Sequence, residues 1–357
     1  MMRGLNQAYV SGNASRARRS LTLLVTLLGM VGLACRASAQ IETLGGLEFY
    51  GLKQVSEGEV REAVQLKEGD AVPATPMAME AIKRRLLALP GVQDVTLNLV
   101  CCVQGKTVFF VGIEEKGRRA LQFRVAPQGK VRLDPEVVEA GEAFNKALTE
   151  ALTQGDTTED ETQGYALMHY PGGRAVQERF LGFARPDPRR FQEVLRHSSD
   201  ASHRAWAAQV LGYAAIDNQK VIDDLVFGMS DPDSNVRNNA MRALAVRAVY
   251  LQDHPNVHVH IPSLPFVRLL NSLDWTDRNK AGFALIQLSR KRDVALLKSL
   301  RKEALPALIE MAHWTRSGYG QPAFVLLGRM VGLSDEAIFT AWQQGDYAKV
   351  LTAIRGS

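Results

Sequence analysis

Ser230-Asp231-Pro232-Asp233-Ser234-Asn235-Val236-Arg237-Asn238-Asn239-Ala240 reads as a turn that opens a helix, and its pattern recurs along the 357-residue chain. Arg204, Arg237 and Arg278 are each followed by alanine three residues later, at Ala207, Ala240 and Ala281, and by leucine seven later, at Leu211, Leu244 and Leu285. An acidic residue stands four before each arginine, at Asp200, Asp233 and Asp274. A fourth copy keeps Ala323 and Leu327 but has Gly320 and Arg316 at the other two positions. Intervals of 33, 41 and 42 residues are those of stacked two-helix units. Each position then has a mechanical task. Alanine lets helices cross closely, leucine fills the core one turn on, and the turn aspartate is placed to pair with its arginine. The role expected of Asp200, Arg204, Asp233, Arg237, Asp274 and Arg278 is therefore structural.

The copies at residues 194–213 and 225–246 resemble HEAT repeats, and residues 188–357 divide into about four helix pairs on that pattern. The resemblance implies an all-α solenoid. A single pair cannot bury its apolar face alone, so neighbours stack into a curved array with an extended surface. Such arrays bind proteins, and the resemblance implies a protein partner and no catalysis.

Upstream, Leu47-Glu48-Phe49-Tyr50-Gly51 reads as a short strand ending at glycine. Ser56-Glu57-Gly58-Glu59 is a capping box, in which hydroxyl and carboxylate each take the other residue's amide. Thr75-Pro76 opens a second helix, whose Met79, Ile82 and Leu86 share one face. Val95, Leu97, Leu99 and Cys101 alternate along a strand, and after Gln104-Gly105 a third strand runs through Val108, Phe110 and Gly112 to Glu114. This β-α-α-β-β order, with the Leu66-Lys67-Glu68-Gly69-Asp70 turn, paired basics at Lys83-Arg84-Arg85 and Leu89-Pro90-Gly91-Val92, resembles a polypeptide-transport-associated (POTRA) domain over residues 40–116. The resemblance implies a non-catalytic envelope module that binds partners by adding a strand to an open sheet edge. The expected fold class is multi-domain: a small α+β, POTRA-like domain followed by an all-α HEAT-like solenoid.

Residues 117–187 read as a connecting region. Leu121, Phe123 and Val125 are expected to add a strand, and Asp134-Pro135 starts a helix to about Thr153 with Val137, Ala140, Phe144, Leu148 and Ala151 on its buried face. Gly141 weighs against that helix, because an interior glycine costs roughly 1 kcal/mol against alanine. Asp156, Glu159, Asp160 and Glu161 lack the alternating ligand order of a calcium loop and read as a solvated loop, and Tyr170-Pro171-Gly172-Gly173 as a turn.

The net charge of +5 belongs to Arg3, Arg16, Arg18, Arg19 and Arg36, since the first 40 residues hold no acid and the remainder is formally neutral. Net charge therefore gives no reason to expect a nucleic-acid partner. Those arginines precede the apolar stretch 21–34 and Ala37-Ser38-Ala39, the pattern of a secretory signal over residues 1–39, cleaved after Ala39. Arg18-Arg19-Ser20-Leu21 partly resembles a twin-arginine signal, and Leu33-Ala34-Cys35 a lipobox. Retention of residues 21–34 as an anchor is the alternative, which would hold the protein near a membrane. The expected address is the periplasm or envelope. Cleavage would remove Cys35, leaving adjacent Cys101 and Cys102, which read as unpaired thiols.

Catalytic patterns are scarce. No Gly-x-Ser-x-Gly elbow or phosphate-binding glycine loop occurs, so neither an enzyme nor a cofactor is expected. The competing class is a metal-dependent protein built on His254, His258 and His260, because His258 and His260 share a face where the chain is extended. Pro255, Pro262 and Pro265 mark the same segment as an exposed loop. Trp206, Trp275, Trp314 and Trp342 read as core, except Trp275, which follows Asp274 in a turn and is expected to be exposed.

Overall fold

A computed structural model describes residues 42–103, 106–117, 121–314 and 318–356, with the backbone alone at 101–103 and 355. The expected signal segment, Arg118-Arg119, Arg316 and the side chains of Cys101 and Cys102 lie outside the described residues.

The small unit begins with β1 (Leu44–Tyr50), α1 (Glu57–Val64), α2 (Pro76–Leu87), β2 (Val92–Val103) and β3 (Lys106–Glu115), as the local sequence predicts. Ser56 and Glu59 form the capping box, and Thr75 caps α2 with Pro76 in its first turn. β3 is central, parallel to β1 and antiparallel to β2, in the order β1-β3-β2. Glu115, at the end of β3, is buried and accepts hydrogen bonds from the backbone amides of Lys53, Gln54 and Val55 at 2.7 to 3.0 Å, which fixes the turn into α1. The central strand is buried on both faces. Phe109, Val111 and Ile113 pack with Val60, Ile82 and Leu86 of the two helices, while Val108 and Phe110 point the opposite way into the larger core.

That larger core belongs to helices. After α3 (Pro135–Gln154), a two-stranded ribbon of β4 (Glu159–Asp160) and β5 (Leu167–Met168) leads into α4 (Pro171–Ala184). Helix pairs follow: α5 (Arg189–His197) with α6 (Ala201–Leu211), α7 (Gln219–Gly228) with α8 (Ser234–Asp253), α9 (Leu264–Leu269) with α10 (Trp275–Leu288), and α11 (Val294–Ala312) with α12 (Gln321–Met330). A last pair, α13 (Asp335–Gln343) and α14 (Ala348–Arg355), packs on α12. The second helices form a continuous row, α6 on α8, α8 on α10 and α10 on α12. Ala207, Ala240, Ala281 and Ala323 and their leucine partners Leu211, Leu244, Leu285 and Leu327 are all fully buried, as the repeat register requires. The chain is thus a small α+β unit followed by an all-helical repeat solenoid. No helix among the described residues is long and apolar enough to cross a membrane.

Two expectations for the connecting region change, while the helix opened by Asp134-Pro135 forms as expected. Residues 121–125 form no paired strand; they begin an extended strap, and Val125 is 87% exposed. Tyr170-Pro171-Gly172-Gly173 is not a free turn but the start of α4, because proline at the first helical position has the required φ and no amide to leave unbonded. Gly141 sits inside α3 because Trp206 packs there: a Cβ at that position would lie 2.3 Å from the indole ring.

Candidate functional site

Each repeat arginine holds two turns together. Arg204 donates from Nη1 to the Ser198 carbonyl of its own turn at 3.0 Å, and from Nε and Nη2 to the Asp231 carboxylate of the following turn, both at 2.8 Å. Arg237 repeats the pattern, reaching the Asp231 carbonyl at 2.9 Å, the Asp277 carboxylate at 2.9 and 3.0 Å, and Asp274. Arg278 donates to the Ser272 carbonyl at 2.6 Å and to Glu310 at 2.7 Å. The arginine therefore does not pair with the aspartate four residues before it. Asp200 and Asp233 face their own helices and cap the amides of Ser202 and His203, and of Asn235 and Val236. Asp274, at the same position in α10, makes no side-chain cap and binds Arg237 of the preceding repeat. A carboxylate before a helix is drawn to that helix's free amides, whereas the long guanidinium spans to the neighbouring turn.

The ridge formed by these turns is occupied by the chain's own N-terminal half. Along residues 121–133 the strap runs back from the second pair to the first. Phe123 lies under the Arg237 guanidinium at 3.8 Å, the Arg124 amide donates to the Ser230 carbonyl at 2.9 Å, and the Arg124 side chain pairs with Asp231. Further along, Gly129 accepts from the Ser199 amide at 2.8 Å, Arg132 pairs with Asp200, and the Leu133 amide donates to His203 Nδ1 at 2.8 Å.

The third and fourth turns receive the small sheet. Tyr50 donates its hydroxyl to the Leu273 carbonyl at 2.7 Å beneath the Arg278 guanidinium, and the Gly51 amide donates to Glu310 at 2.6 Å. Phe110 meets the rings of Trp275 at 5.0 Å, Trp314 at 5.1 Å and Tyr319 at 5.7 Å. Trp275 is consequently 5% exposed and not a free surface residue, because the docked sheet covers its turn. Trp342 packs on Phe324 and Tyr347.

β1 is an edge strand, hydrogen-bonded to β3 on one side. Beside it lies a groove of about 450 Å³ lined by Gly46, Leu47, Phe49, Arg61, Glu310 and His313, among others. Arg61 stacks over Phe49 at 4.7 Å and pairs with Glu57 at 2.6 Å on its rim.

The acidic segment expected to be solvated is partly buried. Glu159 forms an almost wholly buried ion pair with Arg242 of α8. Burial pushes the neighbouring Glu161 carboxyl up to about 7, although Arg242 pulls the other way. Burial, reinforced by Arg242, pushes the Lys280 ammonium of α10 down to about 8. Only the tertiary fold brings Glu159, Glu161, Arg242 and Lys280 together. Nothing in their sequence spacing signals it.

The histidines are not brought together. His254 stacks on Tyr250 at 3.7 Å, with Nδ1 2.9 Å from the Tyr250 carbonyl, while His260 exchanges backbone hydrogen bonds with the Gln219 amide group and His258 is exposed. Among the described residues, no group of three or more His, Cys, Asp or Glu side chains is placed to hold a metal ion.

No curated protein matches the chain. Among solved structures it is similar to an engineered protein, with a TM-score of 0.34 and 16% identity over 62% of this chain and 98% of that one. It is also similar to a designed armadillo repeat protein in complex with a (KR)4 peptide, with a TM-score of 0.35 and 14% identity over the same shares, 62% and 98%. Residues 189–253, which span the pairs α5–α6 and α7–α8, match the HEAT repeats family.

Proposed function

We propose that this protein is a non-catalytic protein-binding scaffold of the cell envelope, exported through residues 1–39, with a POTRA-like sheet that takes a partner strand at its edge and a solenoid that offers a second surface. The observation that carries the reading is the edge of β1. It pairs with β3 on one side and borders a groove of about 450 Å³, so an extended peptide laid there finds main-chain partners along residues 46–49 and a trough for alternate side chains. The arginine-rich start, the apolar stretch and Ala37-Ser38-Ala39 support export. Two linked sites of modest affinity reinforce each other without new contacts.

A photo-crosslinking amino acid at exposed Glu57, on the rim of the groove, tests the edge in cells, with exposed Val294 as the control position. The expected result is one discrete protein adduct from position 57 and none from 294; equal labelling at both sinks the edge reading. N-terminal sequencing of the cellular protein is expected to begin at Gln40 in an envelope fraction. A cytosolic chain starting at Met1 contradicts export.

A further inference from the structure

The open edge of β1 is a short window with fixed ends. At its start the Leu44 amide donates to the Asp70 carbonyl at 2.9 Å and the Leu44 carbonyl accepts from the Gly69 amide at 2.8 Å; at its end Glu310 holds the Gly51 amide. Backbone groups of alternate residues point to the same side of a strand, so Phe49 and Leu47 turn their N–H and C=O outward as Gly51 turns its amide, away from β3. Among the described residues no backbone group bonds them there. The side chains alternate between the two faces of the sheet. Leu47 and Phe49, in register with Phe109 and Val111, stand on the side of α1 and α2, whereas Glu48, in register with Phe110, stands on the solenoid side. The groove beside the edge therefore has an apolar wall of Leu47, Phe49 and Leu52, and a second wall that carries Glu48 and Glu310.

Four carboxylates line this groove, Glu48, Glu57, Glu68 and Glu310, against one guanidinium, Arg61, and the His313 imidazole. Setting Arg61 against Glu57, its partner at 2.6 Å, and Glu310 against Arg278 at 2.7 Å leaves the lining negative through Glu48 and Glu68. A second copy of the chain, paired edge to edge, would set carboxylates against carboxylates, and an anionic ligand meets the same repulsion. We propose, resting on the strand-addition reading above, that the edge takes a basic partner strand: an extended protein segment in which lysine or arginine alternates with apolar residues. Its apolar row lies on Leu47, Phe49 and Leu52, its basic row faces Glu48 and the acidic wall, and its main chain bonds to Leu47 and Phe49. The charge then sets partner choice and register, while the main-chain bonds hold the strand in place.

The test uses the full mature chain and a fluorescein-labelled hexapeptide of alternating lysine and valine, read by anisotropy at low salt, with an alternating glutamate and valine hexapeptide as the opposite probe. The lysine peptide is expected to bind at least tenfold more tightly than the glutamate peptide. With every backbone nitrogen methylated it keeps its charge but loses its donors, and is expected to lose most of that affinity. Glu48→Gln is expected to weaken the lysine peptide about tenfold, and Glu80→Gln, at an exposed carboxylate of α2 outside the groove, to leave it unchanged. Circular dichroism melts establish that each variant is folded. Equal affinity of the native chain for the two peptides, or equal effects of the two substitutions, overturns the basic-strand inference. A crosslinked partner at position 57 together with equal peptide affinities would overturn the partner chemistry alone and leave the edge reading intact, whereas a methylated peptide that binds as well as the unmethylated one sinks both.

Discussion

A methyl group added at Gly141 would lie 2.3 Å from the Trp206 ring, whereas one added at Gly182, also helical and exposed, meets nothing within 4 Å. The two substitutions therefore diverge. Gly182→Ala is expected to raise stability by about 0.5–1 kcal/mol through helix propensity, and Gly141→Ala to lower it by about 1–2 kcal/mol because overpacking outweighs the same gain. Thermal melts of the two variants check the pair. Glu161 and Lys280 make a second residue-scale prediction. With its folded pKa raised to about 7, Glu161 keeps a proton that the unfolded chain gives up, so stability falls as pH rises from about 4.5 to 7, by on the order of 2 kcal/mol. Lys280 has the opposite sign. Lowered to about 8, it has lost a proton that the unfolded chain retains, so stability rises from pH 8 toward 10.5. Glu161 and Lys280 face each other; Arg242 and Glu159 face both, and Asp160 faces Glu161. Urea titrations are expected to show a minimum near pH 7–8, with Glu161→Gln flattening the acidic limb and Lys280→Met the basic one. None of this was legible in the sequence. Asp156, Glu159, Asp160 and Glu161 have the composition of a solvated loop, and their burial depends on a helix more than 80 positions downstream.

Among the elements, the repeat helices were the most legible part, because alanine and leucine at a fixed register record a close crossing and a core position that every copy must reproduce. The capping residues at Ser56 and Thr75 were equally legible, being local chemistry. What register alone could not decide was the arginine's partner, since Asp200 and Asp231 both lie within reach of Arg204 in sequence terms and only the stacking distance selects Asp231. That choice has a measurable result. Asp231 answers both Arg204 and Arg124, so Asp231→Asn leaves one guanidinium buried at the junction of two pairs and is expected to cost about 3–5 kcal/mol. Arg124→Ala removes the more exposed partner of the two and is expected to cost about 1 kcal/mol. Equal losses in denaturant titrations would show that the strap, and not the repeat arginine, depends on Asp231. The alternation of Leu121, Phe123 and Val125 predicts a strand, but Leu121 and Phe123 are covered by the repeat ridge and Val125 by nothing, because alternation marks an extended segment without saying what pairs with it.

At the scale of the whole molecule, the small sheet and the solenoid share one core, which runs from Tyr50 and Phe110 through the repeats to Ile354. A single calorimetric unfolding transition is expected, with the β-sheet and helix signals melting together, and Phe110→Ala is expected to lower stability by about 3–5 kcal/mol and separate the two. Two transitions in the unaltered protein contradict the shared core. The order of a small α+β unit before a helical repeat region is legible in the sequence, but boundaries drawn from composition carry no information on which faces dock. The alternation through Val108, Phe110 and Gly112 marks a covered face without saying that α10 and α11 cover it. The bond from Tyr50 to Leu273 joins residues 223 positions apart. During synthesis at roughly 5–20 residues per second, the sheet's second face therefore waits on the order of ten to forty seconds for its cover to be made. For that interval the sheet is a finished half with an uncovered aromatic surface. A chain cut short before the third repeat would keep that surface permanently open, so truncation there should produce an aggregating fragment and not a smaller working protein.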